Sequence, residues 1–164
     1  MYTLVNVEQL NTGDQIAVER HCSELNNLLC VTLSATDGKY YHHGIFYWER
    51  FSARVIEFWA ETGNKDNARI QTRNITEFLG NSRRLYRVDH ENCLPVEETM
   101  KLANEELKSG RPSYSLLFNN CETFATYLKT GVGHSRQVSS AFAWNLLICG
   151  LGTAIICLIC RLRK

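Results

Sequence analysis

Apolar residues recur along this chain with two different periods, and the change of period marks its organisation. After the turn signal Gly13-Asp14, the run Gln15-Ile16-Ala17-Val18-Glu19-Arg20 alternates as a strand does. Cys30 to Ala35 predicts a second strand, ended by Asp37-Gly38. The run from Lys39 to Trp48 is aromatic and β-prone, and a tight connection near 49–52 leads into Arg54-Val55-Ile56-Glu57-Phe58-Trp59. Those two runs predict an antiparallel hairpin. Residues 68–75 and 84–88 are shorter strand candidates, whereas 1–9 and 21–29 show no clear period. Helical spacing takes over at 95–109, where Val96, Met100, Ala103 and Leu107 form one stripe expected to be buried. Pro95 fits the first turn, Glu97 and Glu98 complement its dipole, and Gly110 closes it. A shorter helix is predicted over 119–131: Asn119 or Asn120 can cap it, Cys121, Phe124, Ala125 and Leu128 share its inner face, and Gly131 suits a left-handed stop. Strands followed by helices make an α+β domain.

The last segment differs in kind. Ala141 to Cys160 carries no charge, and its length at about 1.5 Å per residue matches a bilayer core. Trp144 lies near its upstream end, and Arg161, Arg163 and Lys164 follow it directly, as interfacial anchors would. The expectation is a catalytic domain over 1–138 and a membrane anchor over 139–164, single-pass or interfacial. Cys160, beside the basic end, is a palmitoylation candidate.

A formal net charge of +1, with no basic stripe interleaved with aromatics, excludes a nucleic-acid partner. Seven cysteines is an odd count and no secretory signal opens the chain, so thiols rather than disulfides are expected, with the domain in the cytosol. Cys22 and Cys30 have no matching pair, and the Cys157-x-x-Cys160 spacing lies in an apolar run, so metal binding is not expected, nor any cofactor.

Cys121 falls in the first turn of the shorter helix, where the dipole favours thiolate, the nucleophilic form. Such a cysteine needs an imidazole to hold the thiolate and later protonate a leaving group. His21 adjoins a loop, and His90 and His134 read as surface residues. His42 and His43 sit in the middle of a predicted strand, facing opposite ways, so only one can face the cysteine helix. With a turn near 49–51, His42 meets Glu57 directly or on the diagonal, and a slip of one residue would give that place to His43.

These residues together resemble the lecithin–retinol acyltransferase-like family, which includes the small phospholipase A/acyltransferases. The family carries H-x-[AG]-I-Y in a strand and N-C-E-H-F at a helix start. Here they read His42-His43-Gly44-Ile45-Phe46 and Asn120-Cys121-Glu122-Thr123-Phe124. Gly13-Asp14, Tyr114 and the apolar tail fit as well, over roughly 10–164. The resemblance selects His42 as the base. Two positions depart from it: Thr123 replaces the histidine of N-C-E-H-F, and Glu57 stands where the family's second histidine falls. The resemblance implies a circularly permuted papain-like fold, an antiparallel sheet packed on the cysteine helix. It implies a membrane-bound phospholipase A1/A2 and acyltransferase acting on glycerophospholipids through a Cys121 thioester. His42 would shuttle the proton, Glu57 orient the ring, Asn120 and Tyr114 support the site, and the Cys121 backbone hold the oxyanion. Water, an amine or a lysolipid would be the acyl acceptor. A weakened member serving as a membrane-bound interaction module, and a cysteine peptidase or amidase, are the competing expectations.

Overall fold

A computed structural model describes residues 1–21, 39–59, 69–109 and 120–133. Among the described residues six strands form one antiparallel sheet: β1 (Tyr2–Val5), β2 (Gln15–His21), β3 (Lys39–Glu49), β4 (Ser52–Trp59), β5 (Arg69–Asn74) and β6 (Leu85–Val88), in the order β1-β6-β2-β3-β4-β5. The predicted hairpin is β3–β4, with Glu49 opposite Ser52 and Arg50 in the left-handed region (φ 56°). The predicted strand over 30–35, Tyr114 and the apolar segment 141–160 lie outside the described residues. Among the described residues, no helix is long and apolar enough to cross a membrane.

Alternation along the strands sorts the core into two layers. Ile16, Val18, Phe46, Val55 and Leu85 point to one face, where Val5, Leu10 and Phe78 complete the cluster. Phe78 comes from α1 (Ile75–Leu79). Residues 68–75 were expected to be strand throughout, but β5 ends at Asn74. There the Asn74 side chain accepts the Glu77 amide at 2.8 Å, and the Glu77 carboxylate accepts the Asn74 amide at 3.1 Å, a reciprocal cap that starts a helix instead.

Ile45, Ile56, Phe58 and Ile70 point to the other face, against α2 (Val96–Ser109) and α3 (Cys121–Thr130). Phe124, Ala125 and Leu128 of α3 are fully buried there, and large apolar side chains so buried contribute about 1.5–3 kcal/mol each. The inner stripe of α2 departs from its expectation. Ala103 is buried and Met100 and Leu107 pack beside it, but Val96 is 42% exposed and Thr99 is buried. Val96 is the first residue of the helix, so the bulk of the sheet lies beyond its reach.

Residues 1–9, which show no period, contribute β1, paired to β6, and a short 3-10 turn over Val7–Gln9. A four-residue edge strand is too short to carry a pattern of its own. It is set by pairing and by the terminal amine, which donates to Asp89 O at 2.8 Å.

Gly44 is the tight point of the β2–β3–β4 centre. A Cβ there would stand 2.5 Å from Val55 Cγ1 and 3.2 Å from Phe78 Cε2. Gly44→Ala should therefore lower stability by about 1–3 kcal/mol, read as a fall in Tm. A Tm equal to the parent's would show that this contact is not tight.

Candidate active site

Asn120 has extended backbone (φ −108°, ψ 175°), and its Oδ1 accepts the Thr123 amide at 2.9 Å, so it is the cap of α3. Gly131 ends the helix at φ 78°, its amide donating to Tyr127 O at 2.8 Å. Lys129 ties the far end of the helix to the sheet, Nζ donating to Gly13 O at 2.9 Å. Cys121, the first helical residue, is thereby held at the dipole's positive end and is 5% exposed.

The place where the sulfur rests follows from the sheet. The β2–β3 pairing runs on to His21 opposite Lys39, but the β3–β4 pairing runs only to Gly44 opposite Glu57. Along β3 the even-numbered residues bond toward β2, as Phe46 does with Gly13 and Asp14. Odd-numbered residues of a strand present their amide and carbonyl to the opposite side. Tyr41 and His43 therefore present theirs to the side of β4, where that pairing ends. Cys121 lies there: its sulfur is 4.0 Å from Tyr41 O, and the His43 backbone amide donates to it.

His42 points to the face opposite α3, its ring centroid 5.1 Å from that of Trp59 and 5.4 Å from that of Phe78. The ring on the α3 face is that of His43, linked to Thr126 of α3 through Gln15. The premise that the partner of the thiol must face the cysteine helix therefore fails. At the edge of β3 the sulfur lies beside the sheet rather than on either face, and it is His42 that interacts with it.

Glu57 stands opposite Gly44, two residues along from His42, so the diagonal register holds. Its Oε2 lies 2.8 Å from His42 Nε2. Its other oxygen accepts from Gln71 Nε2 at 3.1 Å and lies 3.5 Å from Arg73 Nη1. Both carboxylate oxygens are thus engaged in a fully buried position. Gln71 and Arg73 went unremarked in the sequence. Their spacing of two, on a strand that pairs Gln71 directly with Glu57, is the signal that carries them.

The electrostatics favour an ion pair. Burial alone would push the imidazolium of His42 down, but the charge and hydrogen bond of Cys121, and then those of Glu57, raise it to about 9. Burial pushes the Cys121 thiol up, but the charge and hydrogen bond of His42 and the His43 amide outweigh it and hold the thiol below its ordinary range. Burial likewise opposes ionisation of Glu57, and the hydrogen bond and charge of His42, with Gln71 and Arg73, pull its carboxyl down.

A second polar network lies under α3. His43 Nδ1 and Gln15 Nε2 are 3.2 Å apart, Tyr2 Oη lies 3.2 Å from His43 Nε2, and His90 Nε2 is 2.7 Å from Gln15 Oε1. His90 is therefore half-buried and bonded across the fold rather than a free surface residue, because β6 carries it back over the start of β2. His43 is held down to about 4, chiefly by burial, with Glu122 opposing and His42 and His90 adding to the fall. It is neutral near pH 7, so one imidazole of the adjacent pair is charged and the other is not. Gln15 joins this network as a polar residue on a buried strand face.

The family model described as lecithin retinol acyltransferase matches residues 8–134, a span that takes in Cys121, His42 and Glu57. No curated protein matches the chain.

Charge on His42 should set the alkaline behaviour of the site. The raised imidazole contributes stability that is complete below about 6.5, its unfolded value, and is lost as pH rises through about 9. In Glu57→Gln that loss should come at lower pH, because the carboxylate no longer favours the charged ring. Histidine NMR titration checks this, and an unmoved His42 midpoint would remove Glu57 from its environment. Iodoacetamide alkylation of Cys121 should remain fast at neutral pH in the parent and slow in His42→Ala.

Proposed function

The chain belongs to the lecithin retinol acyltransferase family, and we propose that it is a thiol phospholipase A1/A2 and acyltransferase acting on glycerophospholipids. The observation that carries this reading is a buried cysteine at a helix start, next to a histidine whose Nε2 a buried carboxylate holds at 2.8 Å. The same family suggests the circularly permuted papain-like arrangement, which the antiparallel sheet and the helix on its face support.

The proposed steps follow from the geometry. Thiolate Cys121 attacks the ester carbonyl carbon, and the carbonyl oxygen takes the negative charge. The Cys121 backbone amide, at the positive end of α3, is placed to receive it, since the side chain of Asn120 caps the Thr123 amide rather than that of Cys121. His42 passes its proton to the departing lysolipid oxygen as the C–O bond breaks, leaving the acyl group on sulfur as a thioester. Neutral His42 then takes a proton from the acceptor as that attacks the thioester, and thiolate leaves. Water as acceptor gives a fatty acid; an amine or lysolipid gives acyl transfer. Glu57 fixes Nε2, so Nδ1 is the nitrogen presented to sulfur and acceptor.

In this reading residues 1–138 are the catalytic domain, with Tyr114 in support of the thiol. Residues 139–164, with Ala141 and Trp144 at one end and Cys160 and Arg161 at the other, anchor it to the bilayer and raise the local lipid concentration. A catalytically weakened member drew its support from Glu57 standing in place of histidine. The short, buried Glu57–His42 contact weighs against that alternative.

Purified protein incubated with phosphatidylcholine under reducing conditions should carry a hydroxylamine-sensitive acyl adduct by mass spectrometry, absent in Cys121→Ala. Glu57→His should keep turnover, and Glu57→Ala should lose on the order of tenfold or more, as second-sphere partners of a reactive histidine do. No adduct and no lysolipid would overturn the assignment.

A further inference from the structure

On the face that carries His42, a cavity of about 210 Å³ opens where β2 ends and the chain enters β6. Arg20, Arg83 and Arg84 line it, with His21, Ser82 and Glu19. Its one carboxylate is already matched, since Glu19 Oε1 lies 3.3 Å from Lys39 Nζ. Arg20 is 7% exposed, its Nη2 and Nη1 donating to Phe78 O at 2.6 Å and Leu79 O at 3.0 Å at the end of α1. Its Nε is buried with no hydrogen-bond partner among the described residues. The turn bearing the other two arginines is built rather than loose. The Ser82 amide donates to Leu79 O at 3.0 Å, and Ser82 Oγ both donates to Arg84 O and accepts the Arg84 amide, at 3.1 and 3.3 Å. The exposed Arg83 and Arg84, beside the buried positive charge of Arg20 and one matched carboxylate, make a receptor for an oxyanion.

The same residues locate this cavity relative to the thiol. Arg20 stands opposite Tyr40, two residues along the ladder and on the same face as Val18 opposite His42, and Phe78 touches both Arg20 and the His42 ring. The cavity lies over β2 and the start of β6, while the sulfur sits at the far edge of β3. That separation is about two strand spacings, roughly 10 Å. The phosphate and ester carbonyl of a single glycerophospholipid are five or six bonds apart, so one lipid reaches both places only with its glycerol segment fully extended. Lipids packed side by side in a bilayer leaflet reach both without that stretching.

We propose that this cavity binds the headgroup phosphate of an anionic phospholipid neighbouring the one that is cleaved, and so holds the thiol end of the sheet against the bilayer. The inference rests on the reading of this protein as a lipid enzyme. Its test needs no turnover, so the two can fail separately.

The full chain carrying Cys121→Ala is floated with vesicles of phosphatidylcholine, alone or mixed with phosphatidylglycerol. Any contribution of the apolar tail is common to both compositions, so the increment on adding phosphatidylglycerol reports the headgroup site. That increment should be about tenfold or more in affinity. It should largely vanish in Arg83→Gln/Arg84→Gln and in the single variant Arg83→Gln fall part of the way, both positions being exposed and the fold checked by Tm. The double variant Lys101→Gln/Lys108→Gln, which removes the same charge from the exposed side of α2, should keep it. An unchanged increment in the arginine variants, or equal losses in both double variants, overturns the proposal. So does inorganic phosphate raising the Tm of the parent, but not of the arginine variant, when phosphatidylglycerol gives no increment, because the cavity would then serve a free anion. A surviving increment in a protein that forms no acyl adduct supports the docking site and sinks the enzymatic reading alone.

Discussion

The site depends on an unfinished ladder. β3 extends to Lys39 against β2, while its pairing with β4 reaches only Gly44. Where that pairing ends, the His43 amide donates to the Cys121 sulfur, which lies 4.0 Å from Tyr41 O. The cysteine is thus part of the structure before it is part of any chemistry. Because it sits at the strand edge, its sulfur can meet a ring that points to the opposite face from its own helix.

Three ionisable groups, Cys121, His42 and Glu57, are buried together, an arrangement that is stable only if the charges compensate. The imidazolium lies between two anions, thiolate and carboxylate, and the surplus negative charge is met by the Arg73 guanidinium and the Gln71 amide. Arg73 is itself held over the Trp59 ring, 5.3 Å from its centroid. This explains how a carboxylate is tolerated at position 57. The strand next to it carries the partners that a carboxylate needs, and a charged oxygen orients imidazole as firmly as a second ring would.

The two adjacent histidines divide the work by face. His42 lies between acid groups and keeps its proton; His43 lies among Gln15, Tyr2 and the helix, and loses it. The neutral ring is fixed through both of its nitrogens, which steadies the peptide whose amide meets the sulfur. Gly44, next in the chain, lets Val55 and Phe78 close over this point without a side chain in the way. Four consecutive residues of β3, Tyr41 to Gly44, therefore carry a carbonyl near the sulfur, a ring that keeps its proton, an amide and a space.

Much of this was legible in one dimension. The hairpin and the two longer helices with the Asn120 and Gly131 ends of α3 follow from alternation, helical spacing and cap chemistry, all local properties of the chain; spacing alone left the partner of Glu57 open between His42 and His43. β1, the burial of Thr99 in place of Val96, and the cross-fold role of His90 do not follow from local pattern, because each is set by a segment far away in sequence, whereas the break between β5 and α1 lies in the local Asn74–Glu77 cap. Local alternation also led to the expectation that the thiol's partner faces the cysteine helix, whereas the structure sets His42 on the other face. Period-two alternation says which face a side chain takes, but where one strand's pairing stops short of its neighbour is decided only when all the strands are packed. That end point put the sulfur at an edge, within reach of His42.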